Sequence, residues 1–88
     1  MAKLIPAAER VERARGLIQS AREYPVPPEN GRQDFSYIAQ VKDRLRQARD
    51  LVKFIPITAG VSAEIKAEVK LIFDEIERAQ QEILHPDV

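Results

Sequence analysis

At 88 residues the chain holds one domain with a modest core, and with no cysteine it has neither a disulfide framework nor a thiolate metal site. Its 44% hydrophobic and 32% charged residues place it with globular rather than disordered chains, and no apolar run reaches the roughly 18–20 residues that span a bilayer. Net charge is zero but unevenly spread: residues 1–55 carry 11 Lys and Arg against 7 Asp and Glu, and residues 56–88 carry 3 against 7. That split favours attraction between the two halves, within a chain or between chains, ahead of recruitment of an acidic partner by the basic half.

The opening Met1-Ala2-Lys3-Leu4-Ile5-Pro6 is too short and too soon interrupted by charge to read as a secretory signal, so a cytoplasmic protein without membrane contact is expected. Pro6 suits the first position of a helix, where its missing N–H is not needed, and helix 1 is predicted over about 6–23. Its seam is small-sided: Ala7, Val11, Ala14, Ile18 and Ala21, with Gly16 weakening the interior. Residues 24–33 contain Pro25-Val26-Pro27-Pro28, which cannot continue a helix because each proline lacks a donor and pushes its predecessor toward extended backbone. Extended as polyproline II, the stretch from Pro25 to Gln33 would reach about 28 Å, the length of a helix of about 18 residues. Helix 1 could therefore fold back onto its own chain or be handed to another.

Asp34 or Ser36 can cap helix 2, predicted over about 34–55, where Ile38, Val41, Leu45, Ala48, Val52 and Ile55 form one apolar seam. Pro56 stops it, and Ile57-Thr58-Ala59-Gly60 makes a turn. Ser62 caps helix 3, predicted over about 62–85, with Glu64 in its first turn and a seam of Ile65, Val69, Ile72, Ile76, Ala79 and Ile83. No period-two alternation competes with these patterns. Seams of this kind are what antiparallel bundles and coiled coils bury, so the fold class is all-α: a three-helix bundle in which helices 2 and 3 form an antiparallel hairpin and helix 1 is packed on it or domain-swapped.

Four constellations bear on chemistry. Ala59-Gly60-Val61-Ser62-Ala63-Glu64-Ile65 and the four residues after it resemble the turn and recognition-helix start of repressor-type helix-turn-helix proteins. Pro56 departs from that pattern inside the preceding helix, and Glu64 and Glu68 would face phosphates, so a capped turn into a bundle helix is the reading taken. Lys42, Arg46, Arg49 and Lys53 form a basic stripe along helix 2, and Glu68, Glu75 and Glu82 an acidic line of heptad spacing on helix 3. An ion-pair or solvated face explains them ahead of nucleic-acid binding, because Asp43 and Asp50 share the helix and no aromatic interleaves the stripe. Among pairs, Arg44 is predicted to meet Glu75, and Arg15 and Arg22 to reach the acidic line if helices 1 and 3 run parallel.

Glu82-x-x-His85 has the spacing of a carboxylate-bridged metal bundle, but such a site needs the motif twice and two further glutamates, so no metal and no cofactor are expected. Arg22-x-x-Pro25-x-x-Pro28 matches ligands of proline-recognising domains, and a stiff linker accounts for it equally well. No nucleophile is paired with the single histidine, and no glycine series cradles phosphate. Leu17, Leu51, Leu71, Phe73 and Leu84 lie outside the seams and are expected mostly in the core, whereas Phe54 and Ile57 bracket Pro56 at the hairpin tip, where a bundle has little to cover them. The residues therefore point to a small non-enzymatic helical interaction or assembly module, a homo-oligomer or the binder of a helical partner. The alternative is a nucleic-acid accessory protein using the basic stripe.

Overall fold

The computed structural model describes residues 6–84, apart from the side chain of Arg32, and the His85 half of the Glu82-x-x-His85 motif lies outside that range. Three α-helices follow in order: α1 (Ala7–Glu23), α2 (Phe35–Val52) and α3 (Ala63–Leu84). Pro6 stands just before α1 rather than within it, with extended backbone, and its carbonyl accepts the first helical bond from the Arg10 N–H at 3.0 Å. Asp34, not Ser36, caps α2: its carboxylate accepts the Tyr37 N–H at 3.0 Å. The Ser62 hydroxyl accepts the Ile65 N–H at 3.2 Å and so caps α3.

Helix α2 ends at Val52, three residues short of the predicted end. Pro56 is the cause, since its ring would clash with the carbonyl of Val52 and it has no N–H to give. The chain instead tightens into a 3₁₀ turn over Ile55–Ile57 that holds Pro56, with the Ile57 N–H on the Phe54 carbonyl and the Thr58 N–H on the Ile55 carbonyl. Ile55 still reaches the core from this turn and is buried. Gly60 then takes φ +84°, a backbone that side chains rarely tolerate, and redirects the chain into α3.

The proline-rich linker does not stay extended. Only Pro25–Pro27 lacks regular structure; residues 28–30 turn, the Gly31 N–H bonds back to the Pro27 carbonyl at 3.0 Å, and Gly31–Gln33 forms a 3₁₀ turn entered through Gly31 at φ +58°. This compaction returns the chain on itself, and α1 packs on α2 and α3 of its own chain. Tyr24, just past the end of α1, lies 5.9 Å from Tyr37 near the start of α2 (ring centroids), so these two helices are antiparallel. Arg15 reaches Glu68 and Arg22 reaches Glu82, so α1 and α3 run parallel and α2 is antiparallel to both.

The three stripes meet in one core. Val11, Ala14, Ile18 and Ala21 of α1 are buried, as are Val41, Leu45, Ala48 and Val52 of α2 and Val69, Ile72, Ile76, Ala79 and Ile83 of α3. The seams fray only at their outer ends: Ala7, Ile38 and Ile65 are half-buried, and Tyr37 takes the core place expected of Ile38. No charged or polar side chain is buried among the described residues. The most extensive helix pair is α1 with α2, and the sequence-adjacent pair α2 and α3 is the least. Ala14, Ala21 and Ala48 are wholly buried, and side chains this short let two helices approach closely.

Core truncation and overpacking should both be felt. Ile72→Ala is expected to cost about 2–5 kcal/mol and Ala21→Leu about 1–3 kcal/mol, whereas Lys42→Ala should stay within about 0.5 kcal/mol. Chemical denaturation measures all three, and equal costs for Ile72→Ala and Lys42→Ala would refute the seam assignment.

Candidate interaction surface

Helical spacing puts Lys42, Arg46, Arg49 and Lys53 on one flank of α2, and all four are exposed. The stripe does not meet the acidic line. Arg46 pairs with Asp43 of the same helix at 2.9 Å and Lys53 with Asp50 at 3.3 Å, so two of its four cations are neutralised locally. Lys53 also lies 5.1 Å from the ring centre of Phe54.

Glu68 and Glu82 reach helix α1 instead. Arg22 binds Glu82 at 2.6 Å and Arg15 approaches Glu68 at 3.8 Å, while Glu75 makes no ion pair with a described residue. Arg44 does not reach Glu75 as expected. It turns toward α1, donating from Nε to the Ser20 hydroxyl at 3.0 Å and from Nη1 to the Gln40 side chain at 2.8 Å, with its guanidinium 4.6 Å from the Tyr24 ring centre. Arg44 leans to this side because it precedes the seam residue Leu45 by one position, a rotation of about 100° around the helix. Arg22 is held by Glu82 and residues 28–30 turn, so the Arg22-to-Pro28 segment does not present a continuous polyproline ligand. Residues 53–62 separate α2 from α3, far more than the tight turn of a helix-turn-helix, so Gly60 and Ser62 serve a hairpin connection here.

Large apolar side chains stand in solvent at several places. Phe54 is 59% exposed and Ile57 80% exposed at the hairpin tip, as their position beside Pro56 predicted. Phe35, at the first position of α2, is 89% exposed and was not singled out by sequence reasoning, although it lies off the Val41–Leu45–Ala48 seam. Leu71 departs from expectation: it is 56% exposed rather than core, while Leu17, Leu51, Phe73 and Leu84 pack at the core margin. The chain matches no known family model, no curated protein and no solved structure. Its surfaces are therefore read from their own chemistry.

An open groove of about 680 Å³ lies between α1 and α2. Leu17 and Leu51 are its apolar lining, Arg13 and Gly16 stand on the α1 side, and Gln47 and Asp50 on the α2 side. Among the described residues nothing requires a glycine at position 16. It lies mid-helix, its φ is not positive, and a Cβ built there would meet no atom within 4 Å. Glycine in such a position weakens a helix by roughly 0.8–1 kcal/mol relative to alanine. No helix among the described residues is long and apolar enough to cross a membrane.

The two interhelical ion pairs are partly exposed, so each should contribute only about 0–1 kcal/mol. Reversing Glu68 and Glu82 to Lys is expected to speed hydrogen exchange in α1 at low salt while leaving total helix content nearly unchanged. Adding Arg15→Glu and Arg22→Glu should restore protection. Identical exchange in all charge states would show that apolar packing alone holds α1.

Proposed function

We propose that the protein is a small non-enzymatic helical assembly module that self-associates and docks other helical surfaces through apolar side chains left in solvent. The observation that carries this reading is the contrast at the hairpin tip. A chain that buries its three seams nearly completely leaves Phe54 and Ile57 mostly exposed on either side of Pro56. Exposed aromatic and aliphatic side chains on a rigid turn supply contact area at little entropic cost, which suits a docking surface. Lys53, beside the Phe54 ring, adds a charged edge that selects among partners.

Sedimentation equilibrium of the intact protein tests the reading: species heavier than the 10.0 kDa chain are expected at micromolar concentration. Phe54→Ser with Ile57→Ser should weaken association at least several-fold without lowering the melting temperature, because neither residue belongs to the core. A single 10.0 kDa species over the whole concentration range would remove the self-association reading.

Nucleic-acid binding through Lys42, Arg46, Arg49 and Lys53 is the second reading. Asp43 and Asp50 weigh against it, since they cancel half of the stripe that phosphates would need. Mobility shift with mixed DNA and RNA at about 50 mM salt, where phosphate contacts are strong, is expected to show no retarded band. A shift that weakens steeply with salt and is lost in Lys42→Ala with Arg49→Ala would reverse the order of the two readings.

A further inference from the structure

We infer that the groove between α1 and α2 receives helix α3 of a second copy of this chain, with Leu71 of one copy seated against Leu17 and Leu51 of the next. The inference rests on the self-association reading and adds to the hairpin tip a second contact, without which the copies do not hold together. Three observations carry it. Gly16 lowers the α1 wall of the groove, and no described residue uses that opening. A glycine that weakens its own helix without a turn or a close internal neighbour fits a site where something from outside must approach.

Leu71 supplies the complementary shape. It is a large apolar side chain 56% exposed on the middle of α3, with the small exposed Ala67 one turn before it. Helical spacing puts residues 67, 71, 74 and 78 on one stripe, a single apolar knob with polar neighbours. The groove from Arg10 to Leu17 covers about two helical turns, as does the segment from residue 67 to residue 74.

Charge selects the same pairing. Arg10 and Arg13 line the groove, and Asp74 and Glu75 follow Leu71 on α3. Neither Asp74 nor Glu75 makes an ion pair with a described residue, whereas Arg13 holds only a half-exposed partner of its own helix, Glu9 at 3.1 Å. On α2, Asp50 lines the groove while holding Lys53 of its own helix at 3.3 Å, and Arg78 or Lys70 of the incoming helix can share it. The net-neutral chain thus carries a basic-edged groove and an acidic-flanked knob on different faces. A contact between unlike patches is heterologous, so each copy uses its knob on one neighbour and its groove on another.

That geometry has a diagnostic consequence. Leu71→Glu removes the knob and leaves the groove; Gly16→Glu fills the groove and leaves the knob. Both sites are solvent-exposed on helices, so both variants should keep wild-type circular dichroism, with Gly16→Glu melting at or above the wild-type temperature and Leu71→Glu slightly below it because Glu68, Asp74 and Glu75 surround position 71. Each alone is expected to move the association midpoint at least tenfold to higher concentration in sedimentation. An equimolar mixture should regain association as a one-to-one complex of the two variants, because one intact knob and one intact groove remain between them.

The outcomes separate the two levels of the reading. If the wild type never associates, self-association fails and this contact with it. If the wild type associates and either variant associates equally well, self-association stands and the groove contact is wrong. If both variants dissociate and the mixture does not recover, the knob and the groove do not meet each other, and the inference is overturned.

Discussion

Close apposition of α1 on α2 is the constraint on which the rest of the structure depends. Ala14, Ala21 and Ala48 are wholly buried and contribute little volume, so the two backbones can draw together and the larger Val11, Ile18, Val41 and Leu45 fill the space around them. Helix α3 then lays Val69, Ile72 and Ile76 into that pair. The consequence is an inversion of roles. The hairpin of α2 and α3, adjacent in sequence, is the least extensive contact, and the helix joined by the proline-rich linker holds the bundle together.

Around this apolar centre the polar side chains act at the margins. Arg44 gathers Ser20, Gln40 and the Tyr24 ring at the α1–α2 edge, and Arg15 and Arg22 reach the glutamates of α3. All of these sit where water still reaches them, so their energies are small and their effect is on orientation. The parallel course of α1 and α3 brings a basic edge against an acidic one, which uses the uneven charge of the two chain halves internally. What remains outward is a locally cancelled stripe on α2 and an acidic shoulder on α3.

The functional reading follows from what the core leaves out. Seams that close this completely have no need of Phe35, Phe54, Ile57 or Leu71, yet these large side chains are retained in solvent. The core of the described residues is apolar, and the proposed association rests on the side chains it leaves at the surface. Exposed apolar groups on rigid helical and turn positions lose little entropy when covered, which is what association requires.

Much of this was legible in the residues. The helices, the cap at Ser62, the turn at Gly60, and nearly every buried position follow from spacing, because a 3.6-residue period and a proline act locally and do not depend on what is packed against them. The exposure of Phe54 and Ile57 was legible for the same reason, as both sit at a chain reversal forced by Pro56. The tertiary structure alone decided the rest. It folded the linker into a compact turn, sent Arg44 to Tyr24 rather than Glu75, gave Glu68 and Glu82 to α1, and left Leu71 outside the core. Each of these depends on which neighbour stands at a given angle around a helix, and that angle is set by how three helices share one small core, a property no single segment contains.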